Sequence, residues 1–300
     1  MAIRDFFLLT LTCFVWGLNI VLTRWAVFDV AVPPLFFAAI RFLGVAVVLL
    51  PFLRPIPKDL KTLFLISVFI GAGHFALLFV GLANAEASAA SIVIQLSVPF
   101  STIMSVMFLS EKVRWRRGIG IVLAFAGVLV IAIDPSSFTV TLGLLYIAAA
   151  AFIASIGSVL MKRMAPISAL QMQAWIGLFS FAPLFVISAF LEQNQWSAFT
   201  AGGWPILAAT IFAVLGVAVF GHGVFYHLIK KYDISLLAPL TLMTPIWGVA
   251  LSIILLKEPL TTQLIVGAII SLGGVLVIAV RRNKKMPEAG MGDKLGSGGG

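Results

Sequence analysis

Charge is scarce in this chain. Of 300 residues, 20 are Lys or Arg and 11 are Asp or Glu, 10% in all, where soluble domains carry about 25%. With 61% hydrophobic residues and a mean hydropathy of +1.14, that shortage excludes an ordinary water-soluble domain. Cysteine occurs once, at Cys13, which excludes a disulfide framework and any cysteine-rich metal site. Acidic residues are missing from the interior of every long apolar run, and the nearest, Glu86, falls at a turn. A buried carboxylate of the kind many proton-coupled systems use is therefore lacking. Only His74 and His222 could titrate near neutral pH inside an apolar run. There is no P-loop, no pair of intramembrane aspartates and no His-Glu-x-x-His. The expectation is a protein that is not an enzyme and holds no metal or cofactor.

What is present is long apolar sequence. Runs between charges and turn residues give ten spans, at about 5–25, 34–53, 60–82, 87–110, 114–133, 141–161, 169–191, 204–228, 235–256 and 262–281. Each has roughly the 20 residues needed to cross a bilayer core of ~30 Å. The breaks carry turn chemistry: Pro33-Pro34, Pro51 to Pro57, Asp134-Pro135-Ser136, Pro166, Gly202-Gly203 and Asp233. The first run ends in Arg24-Trp25 with no small-residue cleavage pattern, so no cleavable signal peptide is expected. Residues 286–300 are polar and glycine-rich and are set aside as a tail.

The formal charge of +9 would point to nucleic acid in a soluble chain. Here the basic residues sit in short loops, where they set topology. With the N-terminus cytoplasmic, the inner segments hold Arg4, Arg54, Lys58, Lys61, Lys112, Arg114, Arg116, Arg117, Lys162, Arg163, Lys230, Lys231 and the run from Arg281 to Lys285. The outer side keeps Arg24 and Lys257 among several acids. Both termini are expected inside a bacterial-type inner membrane, with Trp25, Trp196, Trp204 and Trp115 as interfacial anchors.

Gly127-Val-Leu-Val-Ile-Ala132 returns letter for letter as Gly274-Val-Leu-Val-Ile-Ala279. Glu111 and Glu258 stand at the same distance before the two copies, and Pro99 and Pro245 precede those. This reads as an internal duplication, 1–135 against 139–285. Five spans per half return the chain on the opposite side, so the second half must insert upside down. The basic loop after Glu111 accordingly has an uncharged counterpart after Glu258, Pro-Leu-Thr-Thr-Gln. The fold class expected is all-α, ten transmembrane helices as two inverted five-helix repeats around a central cavity. Such repeats characterise secondary transporters, with a site near the midplane.

Polar groups inside hydrocarbon are costly and line cavities or helix contacts. Trp16 and Asn19 lie on one stripe of the first span with Thr12 and Thr23; Ser91 and Gln95 lie with Ser88 on the fourth; Thr241 and Thr244 precede Pro245 on the ninth. Ser155 and Ser158 mark the sixth span, His74 the third, and His222 with Tyr226 the eighth. These are the candidate substrate contacts. A serine or threonine could equally bond a carbonyl one turn back. Arg41 could snorkel or bond helix-end carbonyls, or face a substrate carboxylate. Pro99 and Pro245 should bend their helices and act as hinges. Glu111 and Glu258 fit capping better than transport chemistry.

Trp16-Gly17-x-Asn19, Ala39-Ile40-Arg41-Phe42, and proline followed by glutamate around spans four and nine together resemble the drug/metabolite transporter superfamily, EamA type. The resemblance implies ten helices in two inverted repeats. The overall pattern is similar to the YddG-like branch, which implies export of amino acids, especially aromatic ones, methionine and threonine. The sixth span departs from the Trp-Gly pattern, with Ser155 and Gly157 instead. The expected partners are a small metabolite and the bilayer, with no nucleic acid and a monomer favoured. Facilitated diffusion by alternating access is the leading reading, with proton-coupled antiport through the histidines second. A membrane enzyme or lipid-handling protein, or a non-transporting sensor, would use the same cavity differently.

Overall fold

The computed structural model describes residues 1–109, 115–133 and 141–280, and these are helical apart from turns. Glu111, Asp134, the basic run after Val280 and the 286–300 tail lie outside the described residues. Backbone amides in an apolar solvent must be bonded internally, which helices achieve and open sheets do not. Nine helical segments among the described residues are long and apolar enough to cross a membrane: α1 (Ile3–Asp29), α3 (Leu60–Ala83), α4 (Ala87–Phe108), α5 (Trp115–Ala132), α6 (Leu142–Arg163), α7 (Ala169–Leu191), α8 (Gly203–Lys231), α9 (Leu236–Leu256) and α10 (Thr262–Ala279). Between them α2 (Pro34–Val48) is equally apolar but shorter. It stops before the expected residue 53, because Leu50–Leu53, with Pro51 in its first turn, winds as a tight 3-10 turn instead.

Helix starts are marked by local side chains. Asp59, Ser168 and Thr261 accept the amides of Thr62, Gln171 and Leu264 at the beginnings of α3, α7 and α10. Two starts have no local cap and borrow a distant one. Glu192, just past α7, takes the amides of Leu35 and Phe36 at 2.8 and 2.9 Å, capping α2. Glu258, just past α9, takes those of Ala87 and Ser88 at 2.7 and 2.9 Å, capping α4.

The principal packing pairs are α5 with α10, α2 with α7, α1 with α9, and α6 with both α3 and α4. The α5–α10 seam runs backbone to backbone. A Cβ on Gly127 would lie 2.5 Å from the Gly267 carbonyl oxygen and 2.7 Å from Ser271 Cα; one on Gly274 would lie 2.6 Å from the Gly120 carbonyl oxygen. Gly127 and Gly274 each open one copy of the repeated hexapeptide, and Gly120 and Gly267 each stand seven residues earlier. The contacts 120–274 and 127–267 are therefore the same contact made twice with the partners exchanged, the pattern of a two-fold interface. Away from this seam large side chains point outward without cover, Phe190 at 84% and Ile254 and Ile269 at 69% exposure among them. That is the surface a lipid environment solvates.

The start of α1 is fastened to the end of α8. Asp5 accepts from Lys231 Nζ at 2.6 Å and from the Tyr232 hydroxyl at 2.7 Å, and the Ala2 amide donates to the same hydroxyl.

Candidate functional site

Two helices are broken, at corresponding places. α4 runs as an α-helix over Ala87–Val93, tightens to a 3-10 turn over Ile94–Leu96 and resumes at Ser97. The helical run that carries α9 is α-wound over Ile234–Leu240, tightens to a turn at Thr241-Leu242, where the Leu242 amide bonds the Pro239 carbonyl three residues back, and resumes at Met243. The sequence places the bends at Pro99 and Pro245. The breaks lie about a turn earlier, because a proline ring excludes the bond and the space of the carbonyl four residues before it. Those carbonyls belong to Gln95 and Thr241.

The two breaks line one cavity of about 350 Å³. Gln95, Val98, Ser101, Thr102 and Ser105 of α4 form one wall, Ala238, Thr241 and Leu242 of α9 another, and Val275, Ile278 and Ala279 of α10 a third. Arg117 and Lys162 stand at its rim, and Lys162 Nζ donates to Ser105 Oγ at 2.9 Å. Among the described residues no Asp or Glu lines it. The cavity thus reaches the face where α4, α6 and α10 end and α5 and α9 begin. A second cavity, about 620 Å³, lies at the other face between Arg24, Phe28, Asn84, Glu86, Thr261 and Gln263. Between them α4 is shut: Ala90 and Val93 are fully buried, and Ser91 and Ile92 nearly so.

A second polar cluster occupies the membrane interior. α3 is wound as a π-helix over Ser67–Gly73 and returns to α-winding at His74; α8 does the same over Phe212–Gly221 and returns at His222. π-turns recur at functional positions because they re-aim the side chain that follows. His74 Nδ1 is 3.0 Å from the Ala150 carbonyl of α6. The His222 ring packs on Trp16, centroids 5.4 Å apart. Gly221 leaves room for that indole, since a Cβ there would lie 2.6 Å from Trp16 Nε1. Arg41 is 3% exposed, its guanidinium 4.3 Å from the Phe75 ring centre. Neither Nε nor Nη1 of Arg41 has a hydrogen-bond partner, and neither does Trp16 Nε1. Arg41 is therefore not snorkelling, and those two nitrogens bond no helix-end carbonyl.

Of the predicted contacts, Gln95 and Thr241 line the first cavity; Trp16 packs on His222, and His74 on Phe75, the ring that Arg41 covers. The hydroxyls mostly follow the quieter alternative. Ser91 donates to Ala87, Ser155 to Phe152, Ser158 to Ala154 and Thr241 to Ala238, each to a carbonyl three or four residues back. Ser91 also packs against Gly248 where α1, α4 and α9 cross, with Gly17 2.8 Å (as an added Cβ) from the Gly248 nitrogen. Tyr226 ties the end of α8 to the Ile167 carbonyl at 3.0 Å, with Lys230 Nζ 4.7 Å from its ring. Asn19 is buried, and buried Thr244 Oγ1 has no partner. Sequence reasoning missed Ser101, Thr102 and Ser105 as lining, Arg117 and Lys162 as the rim, and Glu192 as a cap. The one available signal for the interior cluster was the Gly-His dipeptide, present at 73–74 and again at 221–222.

A sequence profile of the EamA-like transporter family matches residues 5–133 and again 141–280. A protein of Salmonella typhimurium described as a probable amino-acid metabolite efflux pump is 30% identical over 293 residues, covering 92% of this chain and 95% of its own length. A protein of the same description from Escherichia coli K12 is 29% identical with the same coverage, and an uncharacterized transporter of Archaeoglobus fulgidus is 27% identical. One solved crystal structure superposes with a TM-score of 0.65 at 20% identity, covering 92% of this chain and 96% of that one.

Proposed function

Because the chain belongs to the EamA-like transporter family, we propose that it is a ten-pass secondary transporter that exports amino acids and related small metabolites by alternating access. The observation that carries this reading is the pair of equivalent helix breaks, Ile94–Leu96 and Thr241-Leu242, facing one cavity. Broken helices at the contact of two repeats are where transporters of this architecture hold substrate. The exchanged glycine contacts of α5 and α10 support an inverted pair of five-helix repeats, 1–135 and 139–285, with α2 counted as a crossing. The description of the bacterial relatives as probable amino-acid metabolite efflux pumps supports the substrate class.

On this reading the cavity rimmed by Arg117 and Lys162 faces the cytoplasm, with both termini on that side of the inner membrane, and the protein acts as a monomer. Substrate enters beside Gln95 and Thr241. It leaves after α4 and α9 swing about their breaks, opening the packed Ala90–Val93 layer toward the second cavity. The mechanism is uniport. The two histidines placed after matching π-stretches favour one second reading, exchange of a proton for substrate through His74 and His222.

A panel of radiolabelled amino acids offered to proteoliposomes of the purified protein tests the proposal. Saturable uptake of at least one, lowered severalfold by Gln95→Leu at equal reconstitution, is the expected result. No uptake across the panel removes the amino-acid assignment, and unchanged uptake in Gln95→Leu removes the cavity from the path.

A further inference from the structure

Arg41 carries a buried charge that no anion among the described residues pairs with. Its side chain is 3% exposed, and Nε and Nη1 make no hydrogen bond. Among the described residues, no carboxylate bonds its Nε or Nη1: Asp5 is held by Lys231, Glu192 by α2 and Glu258 by α4. An isolated guanidinium in a low-dielectric interior is costly, and removal of a partner from a buried pair destabilises strongly for that reason. The rings of Phe75 at 4.3 Å and Phe42 at 5.8 Å offset part of the cost. They satisfy none of its N–H groups.

A second orphan donor belongs to the same cluster. Trp16 Nε1 is buried and unbonded, and its ring packs on His222. His74 packs edge-on against Phe75, centroids 4.8 Å apart, the same ring that the Arg41 guanidinium covers. The stretch of α8 before His222 packs against α1, which carries Trp16, and against α2, which carries Arg41. Two buried N–H groups without acceptors, one on α1 and one on α2, thus flank the same π-stretch of α8, and no acid among the described residues bonds either of them. A guanidinium presents a planar fork of donors matched to a carboxylate, and an indole N–H donates only.

We infer that Arg41 and Trp16 form a binding site for the carboxylate of the transported solute, held between α1, α2 and the histidines of α3 and α8. This rests on the transport reading above and adds to it an anchor that Gln95 and Thr241 do not supply. It also adds a specificity: solutes with a free carboxylate bind, and their amides do not.

Counterflow of radiolabelled L-methionine into proteoliposomes tests it, with competition by unlabelled methionine, by methioninamide, and by chloride in place of gluconate. Methionine should compete at least tenfold better than its amide. Arg41→Gln should raise the half-saturating methionine concentration roughly ten- to hundredfold, the range for losing a hydrogen bond to a charged group, and should narrow the acid–amide gap. Arg41→Lys should restore part of the affinity, and Trp16→Phe, which deletes only Nε1 and its ring, should weaken methionine severalfold. Monodispersity in detergent is checked for each variant, and Arg41→Lys with Trp16→Phe suffices if Arg41→Gln does not fold. Equal competition by acid and amide in the native protein overturns the inference, as does Arg41→Gln with unchanged half-saturation. Competition by chloride as strong as that by methionine assigns the pocket to a small inorganic anion and overturns it too. Absence of counterflow in the native protein strikes the transport reading instead; thermal stabilisation of the detergent-solubilised protein by methionine, and its loss in Arg41→Gln, then still decides the role of Arg41.

Discussion

Glu258 stands just past the end of α9, yet its carboxylate belongs to α4: the Ser88 amide donates to Oε2 at 2.9 Å while the Ala87 amide donates to Oε1 at 2.7 Å. The first amides of a helix have no partner within it, and its N-terminus favours negative charge. The chain reaches that position through Lys257, left-handed at φ 56°, which turns it sharply out of α9. One broken helix thus holds the other at the face away from the first cavity. Glu258→Ala should destabilise by about 1–3 kcal/mol, and Glu258→Gln by less, read as a shift in thermal unfolding in detergent. Glu192→Ala should cost at least as much, because that carboxylate also accepts from Ser188 Oγ at 2.7 Å. Unfolding temperatures equal to native for both alanine variants would show the caps to be inessential.

The α5–α10 seam tolerates no side chain. Gly127→Leu should prevent recovery of folded protein, since its neighbours at Gly267 and Ser271 are backbone atoms that cannot turn aside. Gly118, on the same helix, has nothing within 4 Å of an added Cβ. Gly118→Ala should be tolerated or should stabilise by roughly 0.5–1 kcal/mol, the ordinary gain for a helix-interior glycine. A folded, active Gly127→Leu variant would contradict the packing described for α5 and α10.

Pro245→Ala restores an amide next to the Thr241-Leu242 break. If the break is needed for movement, the variant should melt at a higher temperature and transport more slowly, stability and rate changing in opposite directions. A variant that is more stable and equally fast would reduce the proline to an architectural bend. Pro99→Ala should behave alike, because its break faces the same cavity.

Glu86 lies in the turn between α3 and α4 and lines the second cavity. Glu86 is exposed on one side, and partial desolvation on the other pushes its pKa above the ordinary carboxylate value; the Glu258 charge adds to that, and Arg24 opposes it. A carboxyl with a raised folded-state pKa binds more protons folded than unfolded between its two pKa values. Stability therefore falls as pH rises through that window. Glu86→Gln should raise the unfolding temperature at pH 7, and its advantage should vanish once the pH falls below the unfolded carboxylate range. An advantage that persists undiminished at low pH would assign the effect to packing.

Uniport predicts that uptake survives collapse of the pH gradient by a protonophore. His74→Gln and His222→Gln should then alter affinity without altering the response to ΔpH. Uptake that disappears with the gradient would favour the proton-exchange reading.

Much of this was legible in the residues. The apolar runs locate the helices to within a few residues because hydrocarbon admits little else. Pro99 and Pro245 announce the breaks, though a proline disturbs the turn before it, so Gln95 and Thr241 stand where the bending occurs. Serine and threonine were ambiguous for a physical reason. A hydroxyl reaches its own helix as easily as a cavity: Ser91, Ser155 and Ser158 bond back one turn, and so do Ser101 and Thr102, both to the Val98 carbonyl, although these two line the cavity with Ser105. Glu192 was unreadable as a cap because its partner is 156 residues away. The π-stretches left no local signature, since one extra residue in a turn changes neither hydropathy nor propensity. The loneliness of Arg41 could not be seen either, as the sequence shows which groups exist and not which meet.

The glycine seam of α5 and α10 has a mechanical consequence. Most helix pairs interlock side chains as ridges in grooves, and to slide they must climb over one another. Gly120, Gly127, Gly267 and Gly274 bring backbone against backbone, and the few teeth that engage are Ile278 seated over Gly120 and Ile131 over Gly267. Such a surface acts as a bearing: it holds two rods close and resists their separation, while a small roll of one against the other displaces only Ile131 and Ile278. The most tightly joined part of the molecule is thereby also the part about which the rest can most easily turn.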